Sequence, residues 1–336
     1  MSIQEVARQA GVSSATVSRV FNLPDQVTDA TRQRVQTIAK ALGYTPNTSA
    51  RTLRTQRSRV LGVVLPTLLN PVFAECLEGI ASAATAAGYA ILPITTDYQL
   101  AQEDQAVNLL LAGNVDGMIL VVSNPATSRA LKRLKAVKSP YVLVYNRHAA
   151  HPCVSVNSEE AVIALVARLV KLGHSHITLV SGQLAASDRA QQRLRGFQKG
   201  TQAAGVKTHI LEVPFVESAA HHISQQLAGK NRPTALICSN DLLAIRSIRA
   251  AHLAGLSVPR DLSVVGFDGI ALGEDLTPML STITQPNAEM GCCAAGLLVQ
   301  ALAGGVALKP SASLTLPHAF RLGESCARPA LSHHKS

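Results

Sequence analysis

The 336-residue chain has no tryptophan, and aromatic residues make up only 3% of it. A core so short of large rings has to be filled by Leu, Val, Ile and Ala, which suits helices packed on a parallel sheet. Charged residues are also few, at 15% against 47% apolar, and that balance excludes a disordered chain. The six cysteines, at 76, 153, 238, 292, 293 and 326, form no C-x-x-C pair and no metal-ligand spacing. They read as reduced, mostly buried small hydrophobes. No G-x-G-x-x-G, P-loop, G-x-S-x-G or H-E-x-x-H string occurs, so neither catalysis nor a cofactor is expected. His174 and His176 form an H-x-H in a helix-to-strand turn and are not expected to hold a metal. The N-terminus has no basic segment followed by an apolar run, and no stretch of about 18 uninterrupted apolar residues occurs. The expectation is a soluble, cytoplasmic protein with no membrane partner.

What is present is length and unevenly placed charge. A chain of 336 residues exceeds what one hydrophobic core organises, so a small module beside a larger two-lobed one is expected. The formal net charge is +10. Residues 1–59 alone carry nine Arg or Lys against Glu5, Asp25 and Asp29, which points to a polyanionic partner for the N-terminal module.

That module has the pattern of three short helices. Ser2 and Glu5 have capping-box spacing, and Ile3, Val6, Ala7 and Ala10 share one helical face. Gly11 breaks the pattern. Ser13 caps a second helix whose Val17, Val20 and Phe21 point inward, and two short helices joined by a tight turn make a helix-turn-helix. The cap Ser13 and the outward residues Ser14, Ala15, Thr16, Ser18, Arg19 and Asn22 are then the candidate DNA contacts. Small residues at 14–16 permit close approach to the major groove, and Arg19 can grip a guanine edge or a phosphate. A third helix follows Thr28, with Val35, Ile38, Ala39 and Leu42 as its apolar stripe and Gly43 as its stop.

The ordered strings Val6-Ala7, Ala10-Gly11-Val12-Ser13, Ala15-Thr16-Val17-Ser18-Arg19-Val20 and Leu42-Gly43-Tyr44-Thr45-Pro46-Asn47 resemble the headpiece of the lactose-repressor (LacI/GalR) family. The resemblance implies a headpiece over 1–45 and a hinge helix and linker over 46–59. It assigns further DNA contacts to Asn47, Ala50, Arg51, Leu53 and Arg54, with Leu53 wedged into the minor groove beside its dimer mate. So short a hinge is too weak to be helical alone and should fold only when supported.

From Val60 onward, apolar runs at Val60–Leu65, Tyr89–Ile94, Gly117–Val122, Tyr141–Tyr145, Ile177–Ser181, Ala235–Cys238 and Leu262–Gly266 alternate with stretches of helical length such as 73–87 and 159–172. Such alternation predicts parallel sheets covered by helices on both faces. The resemblance continues through Asn70-Pro71-Val72-Phe73, Arg193-Leu194-Arg195-Gly196-Phe197, Asn240-Asp241 and Val265-Gly266-Phe267-Asp268. It implies a periplasmic-binding-protein-like core of two Rossmann-like lobes over 60–336. Lobe one takes 60–157 and 285–317; lobe two takes 158–284 and 318–330. An effector then sits in the cleft beyond the carboxyl ends of the strands. Carried over position by position, the cleft residues are Asn70, Phe73, Asn146, Arg147, Ser187, Arg193, Phe215, Asn240 and Asp268.

The resemblance thus implies a homodimeric regulator, a repressor, holding a pseudo-palindromic double-stranded operator under the control of a small effector. Asn and Asp suit hydroxyl groups, while Arg147 and Arg193 suit a carboxylate. The run Leu65-Pro66-Thr67-Leu68-Leu69-Asn70-Pro71-Val72-Phe73-Ala74-Glu75 is most similar to the gluconate-utilisation repressors of the family, so a sugar or sugar acid is expected. The alternatives are a nucleoside or purine effector, or a solute-binding protein without DNA function; the latter has no use for a basic helix-turn-helix.

Overall fold

A computed structural model describes residues 2–44, 57–214, 219–229 and 231–330, with the side chain of Asn22 left aside. The expected hinge positions Asn47, Ala50, Arg51, Leu53 and Arg54, and the expected cleft residue Phe215, lie outside the described residues. The chain divides into two compact units, Met1–Ser58 and Arg59–Ser336.

The first unit contains α1 (Ile3–Ala10), α2 (Ser14–Asn22) and α3 (Asp29–Ala41). Ser2 Oγ accepts from the Glu5 backbone N–H at 3.3 Å. The Glu5 carboxylate accepts instead from Arg8 and Gln9, so the capping box is used from the Ser2 side. Gly11 ends α1 at φ 61°, a left-handed turn that L side chains resist. Ser13 Oγ caps α2 by accepting from Thr16 N–H at 3.1 Å. Val6, Ala7, Ala10, Val17, Val20, Val35 and Ala39 form the shared core, and Phe21 packs beside Tyr44 at its rim.

The second unit is α/β, with two six-stranded sheets. Sheet one draws on β1 (Val60–Leu65), β2 (Ala90–Thr95), β3 (Gly117–Leu120), β4 (Tyr141–Val144), β5 (Cys153–Val156) and β11 (Leu314–Leu316). Sheet two draws on β6 (His176–Ser181), β7 (Lys207–Glu212), β8 (Ala235–Cys238), β9 (Ser263–Asp268), β10 (Ser281–Thr284) and β12 (Ala319–Arg321). The spatial orders are β11-β5-β4-β3-β1-β2 and β12-β10-β9-β8-β6-β7. Every pairing is parallel except β10 with β12. The covering helices are α4 (Pro71–Ala86), α5 (Leu100–Ala112), α6 (Arg129–Ala136), α7 (Ser158–Leu172), α8 (Asp188–Ala204), α9 (Ala219–Leu227), α10 (Asp241–Leu253) and α11 (Asn287–Gly304).

The inner strands β3, β4 and β8 are apolar throughout because helices cover both faces. The edge strand β7 (Lys-Thr-His-Ile-Leu-Glu) is mostly exposed, so it carries no apolar run for sequence reading to detect. The chain passes between the sheets three times: after β5, after β10 and from β11 to β12. On the second passage α11 returns to lie against α4. The approach is close because Gly79 and Gly291 present bare backbone: a Cβ would fall 1.9 Å from Ala288 O at Gly79 and 2.1 Å from Cys76 O at Gly291. Of the cysteines, Cys76, Cys153 and Cys238 are buried, whereas Cys292 is exposed. His174, on the turn into β6, meets Thr234 Oγ1 and the Ala327 carbonyl, both at 2.9 Å. It ties the C-terminal segment to sheet two. Among the described residues no helix is long and apolar enough to cross a membrane.

Candidate functional site

In the first unit, burial of Val17 and Val20 turns the other face of α2 outward. Ser13, Ala15 and Arg19 are exposed, and Ser14, Thr16 and Ser18 are half-exposed. One short helix therefore offers small polar residues at its start and a guanidinium one turn later, dimensions that enter a major groove.

In the second unit, the carboxyl ends of both sets of strands face one cavity of about 40 Å³. Six of the expected cleft residues, Asn70, Phe73, Ser187, Arg193, Asn240 and Asp268, line it. Three of them are helix caps: Asn70 for α4, Ser187 for α8 and Asn240 for α10. The cavity thus receives the positive ends of three helices, an arrangement that favours electron-rich ligand groups.

Arg193 and Asp268 form the centre. Arg193 Nη2 donates to Asp268 Oδ1 at 3.3 Å, Nη1 donates to the Ser239 carbonyl, and the guanidinium lies 3.7 Å from the Phe267 ring centroid. Burial lowers the Arg193 pKa and pushes the Asp268 carboxyl up to about 6, with Arg193, Asn70 and Gln285 opposing the rise. Arg193 Nε is buried and meets no acceptor among the described residues. Behind them, Asp241 accepts from the backbone N–H groups of Gly269 and Ile270 at 2.8 and 2.9 Å and from Thr282 Oγ1 at 2.5 Å. It thereby fixes the turn that follows Asp268. Burial, reinforced by Asp268, pushes the Asp241 carboxyl up to about 7.

A second buried network joins the two sheets' elements. The Asp188 backbone N–H donates to the Ser123 carbonyl at 2.7 Å, while its carboxylate accepts from Asn146 Nδ2 at 2.5 Å and Gln192 Nε2 at 3.1 Å. Arg189 Nη1 donates to the Val122 carbonyl at 3.2 Å. Glu103 accepts from both the backbone N–H and the hydroxyl of Ser123; burial raises its pKa.

Two expectations are placed differently. Asn146 is fully buried and hydrogen-bonded to both backbone groups of Val122, so it braces the lobe junction and does not line the cavity. Arg147 is exposed, outside the lining. The cause is Tyr145, whose left-handed backbone (φ 65°) breaks strand alternation and brings its own ring to the cavity. Tyr98 (φ 59°) and Asp268 (φ 124°) share this uncommon conformation, and such strain collects at functional sites. Tyr98, Tyr145, Arg189, Ser239 and Gln285 also line the cavity and escaped the sequence reading. Arg189 was the most accessible of them, since it lies one helical turn before Arg193 on the same face.

A helix-turn-helix unit and an α/β core of two mainly parallel sheets around a polar cavity define the class, a DNA-binding regulator. The pattern of bacterial regulatory proteins of the lacI family matches residues 2–47, and a periplasmic binding protein-like domain matches 166–326. Catabolite control protein A of Priestia megaterium is 31% identical over 331 residues, covering 97% of this chain and 99% of that protein. The lac repressor dimer bound to operator and the anti-inducer ONPF superimposes with a TM-score of 0.84 at 26% identity, over 97% of this chain and 99% of that one. The transcriptional regulator CelR in complex with cellobiose gives 0.70 at 25% identity over 97% and 99%. The chain belongs to the lacI family and is a DNA-binding transcriptional regulator.

Proposed function

We propose that the protein is a repressor that binds a pseudo-palindromic operator as a homodimer and is controlled by a sugar or sugar acid in the interlobe cleft. The observation that carries this reading is the convergence of three helix N-termini on the buried Arg193–Asp268 pair. Asp268, Asn240 and Gln285 offer partners for hydroxyl groups, and the orphaned Arg193 Nε offers a donor for a further oxygen. A related regulator is solved with cellobiose. For dimerisation, the support is a related dimer on operator and the exposed apolar side chains Leu92, Leu100 and Leu109 along β2 and α5.

Control follows from size. Pockets that enclose small ligands measure about 300–1,000 Å³, whereas this cavity measures about 40 Å³. An effector must part its walls, and the ties from Asp188 to Ser123 and Asn146 are the bonds that such parting strains. A ligand preferring one lobe angle changes DNA affinity, and DNA reciprocally changes ligand affinity.

A second reading, a nucleoside or purine, is favoured by the rings of Phe73, Tyr98 and Tyr145 at the cavity. Thermal unfolding of the full chain with gluconate, glucose, adenosine and hypoxanthine separates the two. A rise in Tm with gluconate or glucose that disappears in Asp268→Ala supports the first reading; a rise with only adenosine or hypoxanthine replaces it with the second. A rise unaffected by Asp268→Ala places the effector elsewhere.

A further inference from the structure

The core carries a second concentration of positive charge. Residues 117–158 contain six Lys or Arg (Arg129, Lys132, Arg133, Lys135, Lys138 and Arg147) and no Asp or Glu. With residues 1–59 set aside as well, the remainder of the chain has two more acidic than basic residues. The net charge of +10 therefore resides in residues 1–59 and this one stretch.

The six side chains are all exposed. Among the described residues none of them forms an ion pair; Lys135 alone donates, to the Ala150 carbonyl at 3.2 Å. Ala130, Leu131 and Leu134 seat α6 on the core, so Arg129, Lys132, Arg133 and Lys135 occupy its outer arc. The helix dipole accounts for part of this, since cations are favourable in a last turn. It does not account for Arg129 in the first turn, where a cation is unfavourable, nor for Arg147 on another segment. Lys138 adopts a left-handed backbone (φ 54°) just beyond the helix, a position glycine fills at lower cost.

The placement favours one kind of partner. Lys138 precedes Pro140, whose carbonyl accepts from Met118 N–H at the start of β3. At the same end of sheet one, Arg59 N–H donates to Asp116, and Arg59 is where the chain enters the core from the DNA-binding unit. Cations three and four residues apart on a helix are spaced by about 5–6 Å, similar to the phosphate spacing of a nucleic-acid strand. We propose that the outer face of α6, with Lys138, is an auxiliary surface for the DNA backbone. It would engage phosphates beyond those held by the helix-turn-helix units. This rests on the proposed dimeric binding of two half-sites, not on the effector reading.

The test uses the full chain and random-sequence duplexes of about 20 and about 60 base pairs, the shorter one spanning two half-sites a turn apart. Affinity is measured against salt concentration. Each phosphate contact steepens the log–log slope by about 0.9, so the longer duplex is expected to give a slope steeper by about 2 or more. Between 50 and 200 mM salt that difference corresponds to roughly a tenfold larger loss of affinity. Lys132→Ser combined with Arg133→Ser, and separately Lys138→Gly, are expected to flatten the long-duplex slope and leave the short-duplex slope unchanged. Lys138→Gly relieves its backbone, so a loss there is not misfolding. A control in lobe two, Lys171→Ser with Lys207→Ser, leaves both slopes as they are. Equal wild-type slopes on both lengths, or variants that keep the long-duplex slope, overturn the proposal. So does loss of binding to polyglutamate with DNA slopes unchanged, which assigns the surface to an acidic polypeptide.

Discussion

Gly79→Ala is the substitution whose cost can be worked most directly from the structure. The new Cβ would fall 1.9 Å from Ala288 O, where ordinary contact begins near 3.4 Å, so α4 and α11 must separate by about 1.5 Å. No flexible side chain can yield, because the obstructing atoms are helix backbone. Separation also opens the neighbouring contact of Gly291 against Cys76 O. Overpacking of this kind costs about 1–3 kcal/mol and sometimes more, while alanine returns about 1 kcal/mol of helix propensity. With backbone on both sides the upper end applies, and a net loss near 2 kcal/mol lowers Tm by roughly 3–5 °C in a unit of this size. The assay is a thermal melt alongside Gly296→Ala, on the opposing helix α11, where a Cβ meets nothing within 4 Å. That control is expected to gain about 0.5–1 kcal/mol. Asn287 at the start of α11 donates to Glu75 at 2.8 Å and accepts from Tyr145 Oη at 3.1 Å, so Gly79→Ala should also weaken the effector-induced Tm shift. An unchanged or raised Tm in Gly79→Ala, matching Gly296→Ala, refutes the close-approach reasoning.

Arg19→Ala is expected to cost about 1–3 kcal/mol on operator DNA and less on random DNA if Arg19 reads a base; competition binding with equal losses on both would confine it to a phosphate contact. Leu53→Ala is expected to remove most operator affinity while the core Tm stays the same, and unchanged binding in a mobility-shift assay would dispose of the proposed wedge. Asp241 and Asp268 have folded-state pKa values raised to about 7 and about 6. Their contribution is fully present below the unfolded carboxylate range, and stability is lost as pH rises through those values, because the folded state holds its protons longer. For Asp241 that loss is at most about 4 kcal/mol. Melts between pH 5 and pH 8 should show Asp241→Asn with a flatter decline than wild type, and parallel curves would refute the assignment.

The fold was legible because its signals are periodic. Fully buried strands such as β3, β4 and β8 read as apolar runs, and Gly11 with Ser13 marks the helix-turn-helix from local backbone chemistry alone. β5, β7, β10, β11 and β12 were hidden: β7 by its exposed edge, β11 and β12 by having three residues each, and β5 and β10 by the Ser and Thr that interrupt their four residues. For the cleft, resemblance and the strand-end rule lead to Asn70, Ser187, Arg193, Asn240 and Asp268, which the fold brings to one cavity. The rule fails at β4 because it names a strand's end without the direction of its side chains. One left-handed residue, Tyr145, exchanges its own place with that of Asn146. Tyr98 carries no signal at all, and Gln285, although it lies in the family-like string Thr282-Ile283-Thr284-Gln285-Pro286, carries none for the cleft, since each reaches the cavity from a connection whose path only the folded chain defines.

The three chain passages between the sheets have a mechanical consequence. They leave sheet one at β5 and β11 and sheet two at β10 and β12, which are neighbours at one end of each sheet. Two plates linked three times along the same margin can rock about that margin but cannot slide freely. Gln285, whose Nε2 donates to Asp268 at 2.8 Å, stands on one of these links, so a molecule touching that pair pushes close to the fulcrum. Six strands spaced about 4.8 Å apart span roughly 24 Å, and a rock of about 10° carries the far strand through about 4 Å. The far strand of sheet one is β2, the edge that exposes Leu92. A small adjustment beside the fulcrum is therefore delivered as the largest travel at the margin proposed above for a second subunit.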